Sequence, residues 1–198
     1  LEGDIIKVQE DIPVEVEMPS TPDNLVPELL SDSLPEPEEK HFTIFYDDTG
    51  YSYESIFGPY LRGAKIIQVE DPYIRMSHQI QNFVRFCETV VKLSNIKRIE
   101  LVTSYDDEHQ KEEVKINLDE LHQSLLELDV VFEFDFNQYL HDREIRLDNG
   151  WVIKNGSGVD CYQKPLTWND IGTNDLSLRK CLETKVDIYR EEYSEMVS

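Results

Sequence analysis

The chain reads as an α/β domain built on a mixed β-sheet flanked by helices. Three observations predict this. Short runs rich in β-branched and aromatic residues alternate with longer segments whose apolar residues recur at helical spacing. Two of the short runs flank an Asp-Asn-Gly turn, a hairpin signal, so at least one strand pair is antiparallel. The 198 residues are 39% hydrophobic and include ten Tyr, eight Phe and two Trp, enough for the core of one domain with an appendage.

The elements follow in order. Phe42 to Tyr46 is a β-rich run, closed by the turn Asp47-Asp48-Thr49-Gly50. Tyr51 to Leu61 is aromatic and expected to be helical. Lys65 to Val69 reads as a buried strand ending at Glu70-Asp71-Pro72. Ser77 is placed to cap a helix running to about Lys92, where Ile80, Phe83, Val84, Cys87 and Val91 share one face. Arg98 to Thr103 is a second strand, followed by a charged loop. Asn117 with Glu120 resembles a capping box, opening a helix with Leu118, Leu121, Leu125 and Leu128 on one side. Val130 to Phe136 is a third strand. Arg143–Leu147 and Trp151–Lys154 form the hairpin around Asp148-Asn149-Gly150, and Val186 to Tyr189 is a last strand.

Residues 1–40 differ from this pattern. They hold twelve acids, six of the nine prolines, and only Lys7 and Lys40 as bases. Such a stretch is expected to be an acidic linker or N-terminal extension, with the globular domain spanning 41–198. Two segments in it, Ile5–Val8 and Val14–Glu17, alternate like strands and could pair with a partner. The chain begins with Leu and is expected to be part of a larger protein.

Charge and cysteines narrow the setting. With 41 acids against 19 bases the formal charge is −22, which repels nucleic acid and anionic membrane unless the bases are segregated. No run of 18 apolar residues and no signal-peptide order occurs. Cys87, Cys161 and Cys181 form neither a zinc spacing nor a disulfide framework, so a reducing, cytoplasmic location is expected. The histidines match no metal motif, and the acidic stretch Asp106–Glu113 lacks calcium-loop spacing, so neither metal nor cofactor is expected.

The sharpest candidate chemistry is His141-Asp142-Arg143 through Asp148 to Gly150, which reads H-x-R-x4-D-x-G. On a strand, His141 and Arg143 point to one face because the side-chain period is two. An imidazole and a guanidinium side by side suit one phosphate. A second candidate is Asp71, Tyr73 and Arg75 with His78, between a strand and a helix, where α/β sheets place ligand groups. Lys154 adds positive charge. Gly156-Ser157-Gly158 is read as a tight turn.

The motif differs by one letter from H-x-K-x4-D, the signature of the phospholipase D superfamily. The likeness extends along Tyr51–Ser55, Glu70–Arg75, His78-Gln79, Asn82-Phe83, Arg85–Glu88, His141–Arg146 and Asn149–Trp151. It continues through Gly156, Gly158, Asp160, Lys164-Pro165, Leu178-Arg179, Cys181 and Val186–Ile188. Over residues 41–190 the chain resembles the phospholipase D-like domain at the C-terminus of MIT-domain proteins. The resemblance implies a phospholipase D-like sheet, dimerisation, and phosphoinositide-membrane binding without known catalysis. Three functional expectations follow. The first is a non-catalytic module holding a lipid or nucleic-acid phosphate at Asp71, Tyr73, Arg75, His78, His141, Arg143 and Lys154, peripheral to a membrane. The second is a phosphodiesterase or nuclease using His141, Arg143 and Asp148 across a dimer. The third is a scaffold with a vestigial pocket, attached to a host such as an AAA+ or Lon-type ATPase.

Overall fold

The computed structural model describes residues 35–167 and 169–191. The expected linker and its two strand-like segments therefore lie almost wholly outside the described residues, as does Trp168. The described part holds seven strands and three helices. They are β1 (Lys40–Ile44), α1 (Tyr53–Phe57) continued by a 3₁₀ turn (Gly58–Leu61), β2 (Ile66–Glu70), α2 (Ser77–Leu93), β3 (Arg98–Thr103), α3 (Glu108–Leu126), β4 (Val131–Phe136), β5 (Glu144–Leu147), β6 (Trp151–Asn155) and β7 (Thr184–Arg190).

All seven strands join one sheet in the order β1-β7-β6-β5-β2-β3-β4. The neighbours β2, β3 and β4 are parallel, linked through α2 and α3, and the remaining pairs are antiparallel. The expected α/β class and mixed sheet are therefore observed. Parallel neighbours need long crossovers, which is why both helices fall between β2 and β4.

The alternation of β2 and β3 explains the two faces of the sheet. Ile67, Val69, Ile99 and Leu101 are buried against the helices. The intervening side chains form a polar ladder on the other face, with Gln68 donating to Glu100 at 2.8 Å and Arg98 to Glu133 at 2.7 Å. The buried face of α2 places Phe83 and Phe86 in an aromatic cluster. Phe86 meets Tyr53 and Phe57 edge-on, with ring centroids 5.7 and 5.3 Å apart.

Two element starts differ from expectation. Met76, not Ser77, occupies the N-cap of α2, and Ser77 is its first helical residue. The stretch taken as a charged loop with a capping box at Asn117 is the first half of α3. Asp107 caps it, accepting from the Gln110 amide at 2.8 Å. Its apolar face, Val114, Leu118, Leu121 and Leu125, begins one turn earlier than Leu118 alone indicates. Leu128, expected on that face, lies beyond the helix and is exposed. Among the described residues no helix is long and apolar enough to cross a membrane.

Candidate functional site

The site forms at the C-terminal ends of β2 and β3, and the register of the sheet brings its parts together. Asp71 directly follows β2, and its amide donates to Val102 O at 3.0 Å. The turn from Pro72 to Arg75 is then pinned to the end of β3. Ser104 donates to Pro72 O at 2.9 Å and Thr103 to Ile74 O at 3.3 Å. In the antiparallel pair of β2 and β5, Glu70 faces Glu144. One residue beyond each, Asp71 and Arg143 become neighbours. In the pair of β5 and β6, Glu144 faces Lys154, so Arg143 also reaches the chain just past Asn155.

Arg143 is the centre of the site. Its Nη1 donates to Gly156 O at 2.8 Å, and its Nε lies 3.7 Å from Asp71 Oδ1. The guanidinium stacks over the Tyr73 ring at 3.9 Å, a cation–π contact. Arg75 approaches the same ring at 5.3 Å but is paired with Asp106 at 2.5 Å.

Asp71 is 2% exposed and serves the site from beneath. It accepts from the Tyr73 amide at 3.0 Å and from the Val159 amide at 3.4 Å. Burial raises its carboxyl above the ordinary value, while the Tyr73 amide and the Arg143 charge pull the other way. Gly158, at φ +59°, packs directly on this carboxylate, and an added Cβ would lie 1.8 Å from Asp71 Oδ2. The Gly156–Gly158 stretch is thus a turn, as expected, and one whose second glycine makes room for a buried acid.

An open pocket of about 480 Å³ lies over Arg143, also lined by Tyr73, His141, Lys154, Asn155, Gly156 and Lys185, and by Asp142 and Asp187 of opposite charge. Four expected site residues therefore converge: Tyr73, His141, Arg143 and Lys154. His141 and Arg143 precede β5 rather than lying on it, and the His141 ring is exposed with no hydrogen-bond partner among the described residues. Lys154 is held by Glu144 at 3.3 Å, and that hydrogen bond raises its ammonium above the usual value. The Nδ2 of Asn155 is buried behind the pocket and has no oxygen acceptor among the described residues. Asp148 stands at the opposite end of β5, where it accepts from the Lys65 amide at 2.8 Å. His78 opens into a different cavity and lies 3.7 Å from Asp160.

Lys185 and Asn155 were not among the expected site residues. Lys185 reaches the pocket because β7 pairs with β6, with Asn155 opposite Val186.

Three comparisons bear on the chain. Residues 50–190 match the family described as a phospholipase D-like domain at the C-terminus of MIT. MIT domain-containing protein 1 of Mus musculus is 41% identical over 160 residues, covering 80% of this chain and 64% of that protein. This chain thus spans less than two thirds of that relative's length. A phosphatidylserine synthase from Haemophilus influenzae Rd KW20 aligns over 79% of this chain and 36% of its own. Its TM-score is 0.36 and its identity 10%, too low to support an argument. With the family match covering well over half of its residues, and with the motif residues placed as described, the chain belongs to the family of phospholipase D-like domains that stand at the C-terminus of MIT.

Proposed function

We propose that this domain is a non-catalytic module that binds a phosphorylated ligand, a lipid headgroup before a nucleic acid, in the pocket over Arg143. The observation that carries the reading is the setting of that guanidinium. It is fixed from below by Asp71 and Gly156 O, stacked on Tyr73, and flanked by Lys154 and Lys185. Such preorganised donors suit phosphate oxygens.

Catalysis is disfavoured by the same geometry. A nucleophilic histidine needs an orienting partner, and among the described residues the His141 ring has none. Asp148 cannot supply it from the far end of β5, about 13 Å of strand away. The charge of −22 disfavours nucleic acid over a local headgroup contact. We further propose that the module acts as a homodimer, peripheral to a membrane and within a larger host protein, so that two weak sites act together.

The test is binding of inorganic phosphate and of vesicles containing phosphatidylinositol phosphate, with sedimentation velocity run alongside. Wild type is expected to bind and to sediment as a dimer. Arg143→Ala and the exposed Lys185→Ala are expected to weaken binding. Unchanged binding in both variants would remove the pocket from the reading, and a monomer would remove the dimer.

A further inference from the structure

A second cavity, of about 460 Å³, opens between the start of α2 and the chain from Asp160 to Thr167. It shares no lining residue with the Arg143 pocket. Two arginines reach it, and both are anchored by neutral oxygens alone. Arg179, 6% exposed, donates from Nε to Gly172 O at 2.6 Å and from Nη2 to Thr173 O at 2.8 Å. Arg85 donates to Asn82 Oδ1 at 2.9 Å and to the same Thr173 carbonyl at 3.3 Å. Among the described residues neither is in an ion pair, and Arg179 Nη1 takes no acceptor. Burial and the nearby Arg85 charge push the Arg179 guanidinium below its usual value, while the Asp170 charge pulls the other way.

Two carboxylates lie nearby, neither in an ion pair with these arginines among the described residues, and each already accepts within the protein. Asp170 accepts from the Thr167 amide at 2.9 Å and from its hydroxyl at 3.1 Å. Asp160 accepts from Asn82 Nδ2 at 2.6 Å and faces His78 at 3.7 Å.

The start of α2 adds donors of the same sign. Its N-cap is Met76, which brings no side-chain oxygen to the first amides. Among the described residues the Ser77 and His78 N–H groups have no acceptor, and both residues line the cavity. Lys164 stands exposed at the rim.

We propose that this cavity is a second anion site, which binds a small phosphate monoester carrying a hydroxyl group. The dianionic phosphate takes Arg85, Arg179 and the two α2 amides. The ester's hydroxyl donates to the carboxylate of Asp160, the one acceptor of that strength in the lining. The volume fits a small organic phosphate, well beyond a single ion. The site complements the Arg143 pocket without depending on it.

The experiment is ¹⁵N-resolved NMR of the whole chain, titrated with inorganic phosphate, with glycerol 3-phosphate and, as a control, with chloride at matched ionic strength. Saturable shifts are expected at the Ser77 and His78 amides and at the Arg85 and Arg179 Nε groups, with glycerol 3-phosphate binding more tightly than phosphate. Arg85→Gln is expected to weaken binding about tenfold or more, and Arg143→Ala to leave it intact. Vesicles carrying phosphatidic acid, the same monoester on a lipid, decide whether the ligand is soluble or membrane-borne. Static resonances at these four groups, or shifts no larger than those with chloride, would overturn the site. So would loss of binding in Arg143→Ala with Arg85→Gln unaffected. Should Arg85→Gln fail to fold, the wild-type titration still decides, and His78→Ala with Lys164→Ala replaces that variant. Shifts at Gly156 and Lys185 report the first pocket separately, so failure of one site is distinguishable from failure of the other.

Discussion

Gly158→Ala tests the structural base of the Arg143 pocket. The glycine sits at φ +59°, where an L side chain costs about 1 kcal/mol from backbone strain alone. The larger cost is steric, because the new methyl would lie 1.8 Å from Asp71 Oδ2. The carboxylate is 2% exposed and has nowhere comparable to go. Moving it breaks its bonds from the Tyr73 and Val159 amides, each contributing about 1 kcal/mol, and loosens its contact with Arg143. The sum is about 3–4 kcal/mol, a fall in melting temperature of about 6–16 °C for a domain of this size. Calorimetry on wild type and variant reads this directly. Gly50→Ala is the control, since φ is +92° there but nothing lies within 4 Å, so only the strain of about 1 kcal/mol applies. Because the clash runs through one carboxylate, Asp71→Ala combined with Gly158→Ala is expected to be clearly non-additive. A Gly158→Ala melting temperature no lower than that of Gly50→Ala would refute the reasoning.

Four further outcomes follow. Asp71 has a raised carboxyl pKa in the folded state, so between its ordinary value of 3.8 and the raised one the folded protein holds the extra proton. Its contribution is full below the ordinary value and is lost as pH rises through the raised one. Asp71→Asn should therefore flatten that fall in a pH series of denaturant midpoints, and an unchanged difference from wild type would contradict the shift. Phe86→Ala removes a fully buried ring packed against Tyr53 and Phe57, and should lower unfolding free energy by about 3–5 kcal/mol in urea titration. Asp107→Ala removes the cap of α3 and should cost about 1 kcal/mol by the same measurement. Lys185→Glu reverses an exposed charge on the pocket wall, and should weaken phosphate binding while leaving the melting temperature within about 2 °C.

Much of the fold was legible because its elements carry strong local signals. The face of α2 and the alternation of β3 need no tertiary information to be seen. The first half of α3 was obscured because Glu108 to Glu113 is polar throughout, and its helical evidence lies in the Asp107 cap and the single buried Val114. The site was legible in part. Arg143, Tyr73 and Lys154 converge as residue type and position indicated. The insertion of the β5–β6 hairpin beside β2 was not readable, and it is that register which seats Arg143 on Asp71. For the same reason Lys185 went unseen, and His78 was grouped with a pocket it does not line. Local sequence carries strand and helix signals. It does not carry which strand ends meet.

The central claim, phosphate binding without turnover, is tested most directly by incubating the protein with bis-p-nitrophenyl phosphate and following p-nitrophenolate release, with His141→Ala in parallel. The account predicts no release above background from either protein. Release by wild type that disappears in His141→Ala would contradict it and make this domain a phosphodiesterase in which arginine takes the place of the usual lysine.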